Sequence, residues 1–290
     1  MIAPMLFWQC GPKKSEQSEE MTEEMDQMEV EEEMVVEPSL TKLWETPAEL
    51  TTCESVLVDG STGTIYVSNI SGDPRGKDGE GFISIISKNG EIVEKGWVTG
   101  IDSPKGMGIL DGKLYVTNID ELVEIDIKSA SISKTYPVDG AGFLNDVDVY
   151  GGKVYFSDME TGKIHFLEKG KIGVLAEGQG SINGLRASEE GVLYGLDGEG
   201  LKMYAEDGSE EIINSVVTGG DGLIILGDGN YLASRWVGEI WLINEDGETK
   251  LLDTKGDESN TADIGYLTEE QVVLVPTFRK NKVVAYKLEY

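Results

Sequence analysis

Glu54, Lys105, Asn145, Asn183, Asp221 and Asp263 each open an apolar, strand-like run, and none of these opening positions is apolar. A single Asn or Asp there is a turn former, because both residues favour turns ahead of strands. Six polar residues at one phase describe a polar site. Glu54 and Asp221 offer carboxylate oxygens, and Asn145 and Asn183 offer amide oxygens. A hard cation takes such a mixture; calcium accepts carboxylate and amide donors together and fills its remaining positions with water. Zinc and copper suit the set less, since no sulfur or imidazole stands in these motifs. Lys105 brings a positive charge that can pair with Glu54 or Asp263, bind an anionic substrate, or repel a metal. Asn145-Asp146 is read both as the turn into its strand and as an oxygen donor.

The elements that must position these residues form a repeat. Its copies read ESVLVDGSTGTIYVSN, KGMGILDGKLYVTN, NDVDVYGGKVYFSD, NGLRASEEGVLYGLD, DGLIILGDGNYLASR and DIGYLTEEQVVLVPT. Four of the five intervals between them are 38–42 residues, and the first is about ten longer. A period near 40 built of short strands marks a β-propeller with four strands per blade. Third strands follow, such as ISIISKNG and IWLINEDG, whose Asn-Gly and Asp-Gly pairs suit tight turns. Fourth strands come next, as in EIVEKGWV and TKLLDTK. The sixth copy lacks a fourth strand, and the chain ends on KVVAYKLEY. TKLWET, residues 41–46, closely matches TKLLDT, residues 249–254. The expected fold is therefore all-β, a six-bladed propeller over residues 40–290, closed by an N-terminal strand in the last blade. Closure of this kind removes a free sheet edge. No βαβ alternation is present, and a β-sandwich does not demand a 40-residue repeat.

In a propeller the first strand of each blade lines the axis, so the six starters converge at one end. Loops between second and third strands open on the same face. They bring Asn69, Asn118, Asp158, Asp197, Arg235, Trp236, Phe278 and Arg279. The longest, residues 70–81, accounts for the longer first interval and is expected to act as a lid. Guanidinium forks suit carboxylate or phosphate, so Arg235 and Arg279 either recognise such a group or balance the acidic rim. The expected substrate contacts are Lys105, Asn118, Asp158, Arg235, Trp236, Asp263 and Arg279.

Composition narrows the partners. The chain has 54 acidic against 24 basic residues, which argues against nucleic acid, whose phosphates need Lys/Arg patches. Two cysteines, Cys10 and Cys53, exclude a disulfide framework and a cysteine-based zinc site. The single histidine, His165, excludes a histidine-cluster metal site; it falls on a third strand and reads as a packing or surface residue. No run approaches the ~20 apolar residues of a membrane span. The segment 1–10 resembles the end of a bacterial lipoprotein signal with Cys10 as the lipidated residue, although a basic n-region is missing. Residues 11–39 read as an acidic flexible tether. The expected setting is the periplasm or cell surface, with membrane contact only through Cys10; the alternative is a cytoplasmic protein with an unstructured N-terminus. A monomer acting on a small molecule is expected.

The motifs resemble those of the regucalcin/gluconolactonase-type (senescence marker protein-like) six-bladed propellers, relatives of squid-type diisopropylfluorophosphatase and the paraoxonases. The matching motifs are Cys53-Glu54-Ser55, Asn145-Asp146, Asn183-Gly184 and Asp221-Gly222, one per blade and in the same order. The resemblance implies a catalytic calcium held by Glu54, Asn145, Asn183 and Asp221, and hydrolysis of a small ester-like substrate, a lactone or a phosphotriester. Asp221 would be ligand and also nucleophile or general base, and Asp146 would orient a ligand or serve as the alternative base. Ser55-Val56 departs from the family's Gly-Pro, and no histidine supports a paraoxonase-like mechanism. The alternative is a non-catalytic propeller that binds a ligand or partner around a structural calcium. Strictosidine-synthase-like chemistry does not account for the ligand set.

Overall fold

The computed structural model describes Met1 and residues 37–290. Cys10 and most of the acidic segment lie outside the described residues. Over residues 37–290 the chain folds as one unit of six four-stranded antiparallel sheets. A first strand, β1 (Ser39–Glu45), precedes them. Blade one is β2 (Cys53–Val58), β3 (Ile65–Asn69), β4 (Gly81–Ile86) and β5 (Ile92–Ile101). Blade two is β6 (Pro104–Leu110), β7 (Lys113–Asn118), β8 (Glu121–Asp126) and β9 (Ser131–Pro137). Blade three is β10 (Leu144–Tyr150), β11 (Lys153–Asp158), β12 (Lys163–Glu168) and β13 (Lys171–Glu177). Blade four is β14 (Leu185–Ala187), β15 (Leu193–Leu196), β16 (Leu201–Tyr204) and β17 (Glu210–Asn214). Blade five is β18 (Leu223–Gly227), β19 (Asn230–Arg235), β20 (Glu239–Asn244) and β21 (Gly247–Asp253). Blade six is β22 (Gly265–Leu267), β23 (Val272–Pro276) and β24 (Val283–Glu289), completed by β1.

The expected closure is present. Strand β1 runs antiparallel to β24, from Ser39 opposite Glu289 to Glu45 opposite Val284. Trp44 packs against a cluster that includes Leu50, Ile65 and Leu274, tying the closing strand to blade one as well as blade six. Gly90 makes room for it: a Cβ there would fall 2.5 Å from the Trp44 ring.

Each of six apolar clusters is drawn from two neighbouring blades, for example Tyr66 and Ile83 with Leu114 and Val116, or Leu196 and Leu201 with Leu223 and Ala233. A blade is thus apolar on both faces. Leu114 and Val116 of β7 face blade one, while Tyr115 between them faces blade three. This explains why IYVSN in β3 is buried throughout, whereas SISKTYP in the outer strand β9 is almost wholly exposed. Burying each such Leu, Ile or Val stabilises the fold by roughly 1.5–3 kcal/mol, and the ring leaves no blade with an uncovered face.

Candidate functional site on the propeller axis

The inner strands lie close enough that several channel positions must lack a side chain. A Cβ on Gly106 would fall 2.5 Å from the Asp146 Cα, one on Gly184 would overlap the Asp221 carbonyl, and one on Gly222 would overlap the Ile264 amide. Gly184 and Gly222 do not have positive φ. They are close-approach glycines, placed where a neighbouring backbone passes.

Strand β10 contains Asn145-Asp146, so the pair is not the turn that its composition suggested. It sits at a bulge: Leu144 pairs with Asp158 and Val147 with Phe156, three steps against two. Leu144 and Val147 both enter the apolar core, so the two residues between them leave it together. The same shift occurs between Cys53 and Val56, around Glu54-Ser55, and between Pro104 and Met107, around Lys105-Gly106. Hydroxyls from second strands pin the backbone beside three of the four expected ligands. Ser68 Oγ accepts from Ser55 N at 2.9 Å, Ser157 Oγ from Asp146 N at 2.9 Å, and Ser234 Oγ from Gly222 N at 2.7 Å.

The result is a cavity of about 330 Å³ lined by Glu54, Lys105, Asn145, Asn183 and Asp221. Ile70, Phe143, Met159, Trp236 and Phe278 supply apolar walls. All four expected calcium ligands therefore meet in one place. Asn183 Nδ2 donates to Asp221 Oδ1 at 3.1 Å. Glu54 Oε2 and Asn183 Oδ1 are buried without a hydrogen-bond partner. Among the described residues no three His, Cys, Asp or Glu side chains gather as a metal-holding group; this donor set is two carboxylates and two amides, which suits a hard cation. Orphaned, buried oxygens on a shared cavity fit such an ion.

Electrostatics point the same way. Burial, then repulsion from Asp221 and Asp263, pushes the Glu54 carboxyl well above its ordinary range. Burial and Asp263 do the same to Asp221 and Asp146. Burial raises Asp263 to about 6, against the pull of Arg186 and Ser55. The axis therefore holds more buried carboxyl groups than the chain's own cations balance.

The other expected site residues divide. Lys105 and Trp236 line the cavity. Lys105 pairs with neither Glu54 nor Asp263; its Nζ donates to Ser103 O and Ser103 Oγ, both at 3.1 Å. Asp263 does not line the cavity; its Oδ2 accepts from the Ser55 hydroxyl. Asp146 does not reach the cavity either: its oxygens accept from Leu185 N at 2.6 Å and Val147 N at 2.7 Å, fastening blade three to blade four. Its geometry is that of a brace and not of a base.

Asn118 and Asp158 are corrected as substrate contacts. Asn118 Oδ1 accepts from Ser103 N at 2.8 Å and its amide donates to Glu121 at 3.0 Å. Asp158 is wholly buried and accepts from Gly142 N and Phe143 N, each at 2.9 Å. Both hold loops, the second one positioning Phe143. Arg235 is tied to Glu239 at 2.7 Å, and Arg279 is an exposed residue over the Trp236 ring at 5.2 Å.

Of residues 70–81, expected as a lid, Ile70 and Pro74 contribute to the cavity wall. Ion pairs from Lys77 to Asp120 and from Arg75 to Glu160, both 2.7 Å, fasten the loop to blades two and three. Phe143 and Met159 line the cavity without having been expected there, and Arg75, outside the lining, stands over the Phe143 ring at 4.3 Å. Phe143 immediately precedes β10 and had only that position as a signal.

No protein-family model matches the chain. No curated protein matches it either. Solved structures do. A gluconolactonase from Xanthomonas campestris is 13% identical, with a TM-score of 0.62, covering 83% of this chain and 88% of its own. A streptogramin B lyase is 13% identical at a TM-score of 0.62, covering 87% and 98%. A chain of the nidogen/laminin complex is 14% identical at 0.57, covering 74% and 92%. A hydrolase, a lyase and an assembly protein thus share one architecture with this chain, and what they establish for it is the β-propeller fold.

Proposed function

We propose that the protein is a calcium-dependent hydrolase of a small ester-like substrate, a lactone in preference to a phosphotriester. The observation that carries this reading is the meeting of Glu54, Asn145, Asn183 and Asp221 around one cavity, with buried oxygens that the chain leaves without partners. Those four residues would hold the ion. Bound calcium would supply a Lewis acid for the carbonyl or phosphoryl oxygen and for an adjacent water. Asp221 Oδ1 is engaged by Asn183, which leaves Oδ2 to attack or to accept the proton of the water. Ile70, Phe143, Met159 and Phe278 give the cavity apolar walls, which strengthen the interaction of these charges. Lactone is preferred on the family resemblance of the motifs and on the gluconolactonase among the structural neighbours.

Lyase chemistry has less support. A virginiamycin B lyase with alanine in place of one histidine is catalytically inactive. The single histidine here, His165, is stacked on Phe156 at 5.2 Å inside blade three and does not line the cavity.

The test is twofold. Calcium should raise the melting temperature, and Glu54→Gln combined with Asp221→Asn should abolish the rise. A lactone and phosphotriester screen should show calcium-dependent turnover that Asp221→Asn removes. No calcium shift would end the metal reading, and calcium binding without turnover in the screen would favour the non-catalytic, ligand-binding propeller.

A further inference from the structure

We propose that the molecule bound in this cavity carries an anionic oxygen group, a carboxylate or a phosphate, seated against Lys105 and Phe143 beneath the 70–81 loop. The proposal deepens the hydrolase reading by naming its substrate class: an anionic ester or lactone, with the ester end at Asp221 and the charged end at Lys105.

The argument begins with a comparison of two buried lysines. Lys202 and Lys105 are each 1% exposed. Lys202 is neutralised by the chain itself, with Asp197 at 2.8 Å, Glu199 at 2.7 Å and Glu210 at 3.2 Å. Buried charges are paired in this way as a rule, because an ammonium removed from water without a counter-ion is costly. Lys105 has no such partner: among the described residues no carboxylate lies within 4.0 Å of its Nζ. Its contacts are a carbonyl, a hydroxyl and the Phe143 ring, whose centroid is 4.3 Å away. None carries a full negative charge.

The Arg75 guanidinium, itself paired with Glu160 at 2.7 Å, stands 4.3 Å from the same Phe143 ring centroid and repels the Lys105 ammonium. Glu54 acts on Lys105 from a distance, but in the hydrolase reading its carboxylate belongs to calcium. With Glu54 given over to an ion, Lys105 would be left without a counter-charge, and an anionic group on the bound molecule would supply it. Burial draws the Lys105 ammonium down to about 8, against the pull of the Glu54 carboxylate. The cavity is at the small end for ligand pockets, so one compact molecule would reach both ends.

The experiment uses the full chain in a metal chelator, so that no anion is held through calcium. Titration calorimetry and thermal melts are run with inorganic phosphate and with D-gluconate, and D-glucose is the neutral control. Phosphate, gluconate or both should bind, and glucose should not; whichever responds identifies the group. Lys105→Met should weaken the anion by about ten- to hundred-fold, the worth of one charge-assisted hydrogen bond, while Lys105→Arg should retain most of it. The Lys105→Met protein should keep its calcium-induced rise in melting temperature, which also shows that it folds. Equal anion binding by wild type and Lys105→Met, or glucose binding as tightly as the anions, would overturn the proposal. Anion binding lost in Lys105→Met without any calcium shift in wild type would uphold the anion site and sink the metal reading instead.

Discussion

Glu54 and Glu239 are both buried glutamates in the same ring of blades, and they live in opposite surroundings. Glu239 opens β20 of blade five. Its Oε2 accepts from Arg235 at 2.7 Å and Trp241 Nε1 at 3.2 Å, and its Oε1 accepts from Lys250 at 3.2 Å and from Lys255. Burial opposes its ionisation, but these donors prevail and hold the carboxyl at about 2. Glu54 has an oxygen with no donor at all and three carboxyl groups, Asp221, Asp263 and Asp146, that repel it, and its pKa moves the other way. A buried acid that serves the fold is saturated by the chain. A buried acid that serves a ligand is left unsaturated, and the apo fold bears the cost.

The largest effect should come from breaking the unsaturated side of that comparison. Asp221→Asn should reduce calcium-dependent turnover by about 10²–10³-fold, the scale on which removing one group that stabilises developing charge acts, measured as kcat/KM on whichever substrate the screen identifies. Its melting temperature in chelator should not fall, because a repelled buried charge has been removed.

The matching change on the saturated side should do the reverse. Glu239→Gln leaves three cations facing a neutral amide and should destabilise the protein by about 2 kcal/mol. That is less than the 3–5 kcal/mol of a fully buried pair, because Arg235, Lys250 and Lys255 are 33–46% exposed. Denaturant unfolding measures it, and calcium affinity should be unchanged.

Gly184→Ala tests whether geometry or donor chemistry makes the site. All four oxygen donors remain, but the new methyl meets the Asp221 carbonyl. Overpacking of this kind costs about 1–3 kcal/mol, and the calcium-induced rise in melting temperature should shrink or vanish.

The smallest effect is in pH, and its two limbs separate the two glutamates. The folded-state pKa of Asp263, about 6, and those of Glu54, Asp146 and Asp221 lie above the unfolded values near 4. In chelator their contribution favours the fold below about pH 4; that of Asp263 is lost as pH rises through about 6, and those of Glu54, Asp146 and Asp221 are lost as pH rises through their own raised values. Glu239 has the opposite sign: its contribution is present above about pH 4 and is lost as pH falls toward 2. Thermal melts should therefore peak between the two limbs. Glu54→Gln should flatten the alkaline limb and Glu239→Gln the acid one.

Much of this was legible in the residues. The 40-residue period gave the blade count, and the match of TKLWET to TKLLDT gave the closing strand. The phase of Glu54, Asn145, Asn183 and Asp221 brought them to one cavity, because a repeat that fixes strand order also fixes which residues face the axis. The misread residues have a common cause. Asn118 and Asp158 stand on the right loops, but short polar side chains beside a strand end are commonly claimed by nearby amides, and here they are. Asp146 stands one position from Asn145, which lines the cavity, and a bulge decides which of two adjacent residues faces it; that depends on pairing with β11 and leaves no mark in composition. Ser68, Ser157 and Ser234 did carry a signal, a hydroxyl at the end of each second strand, whose purpose is visible only once the inner strand lies beside it.

The closing strand has a consequence for biosynthesis. Ser39 pairs with Glu289, 250 residues later. At translation rates of about 5–20 residues per second, roughly 12–50 s pass between the making of the two partners. Until β24 has been made, β1 has no partner and the ring cannot shut. A chain shortened by a few residues at its C-terminus would carry all its cavity residues and still lack the register that seals the circle. The pairing of Ser39–Glu45 with Val284–Glu289 matters as much to the finished ring as any residue on its axis.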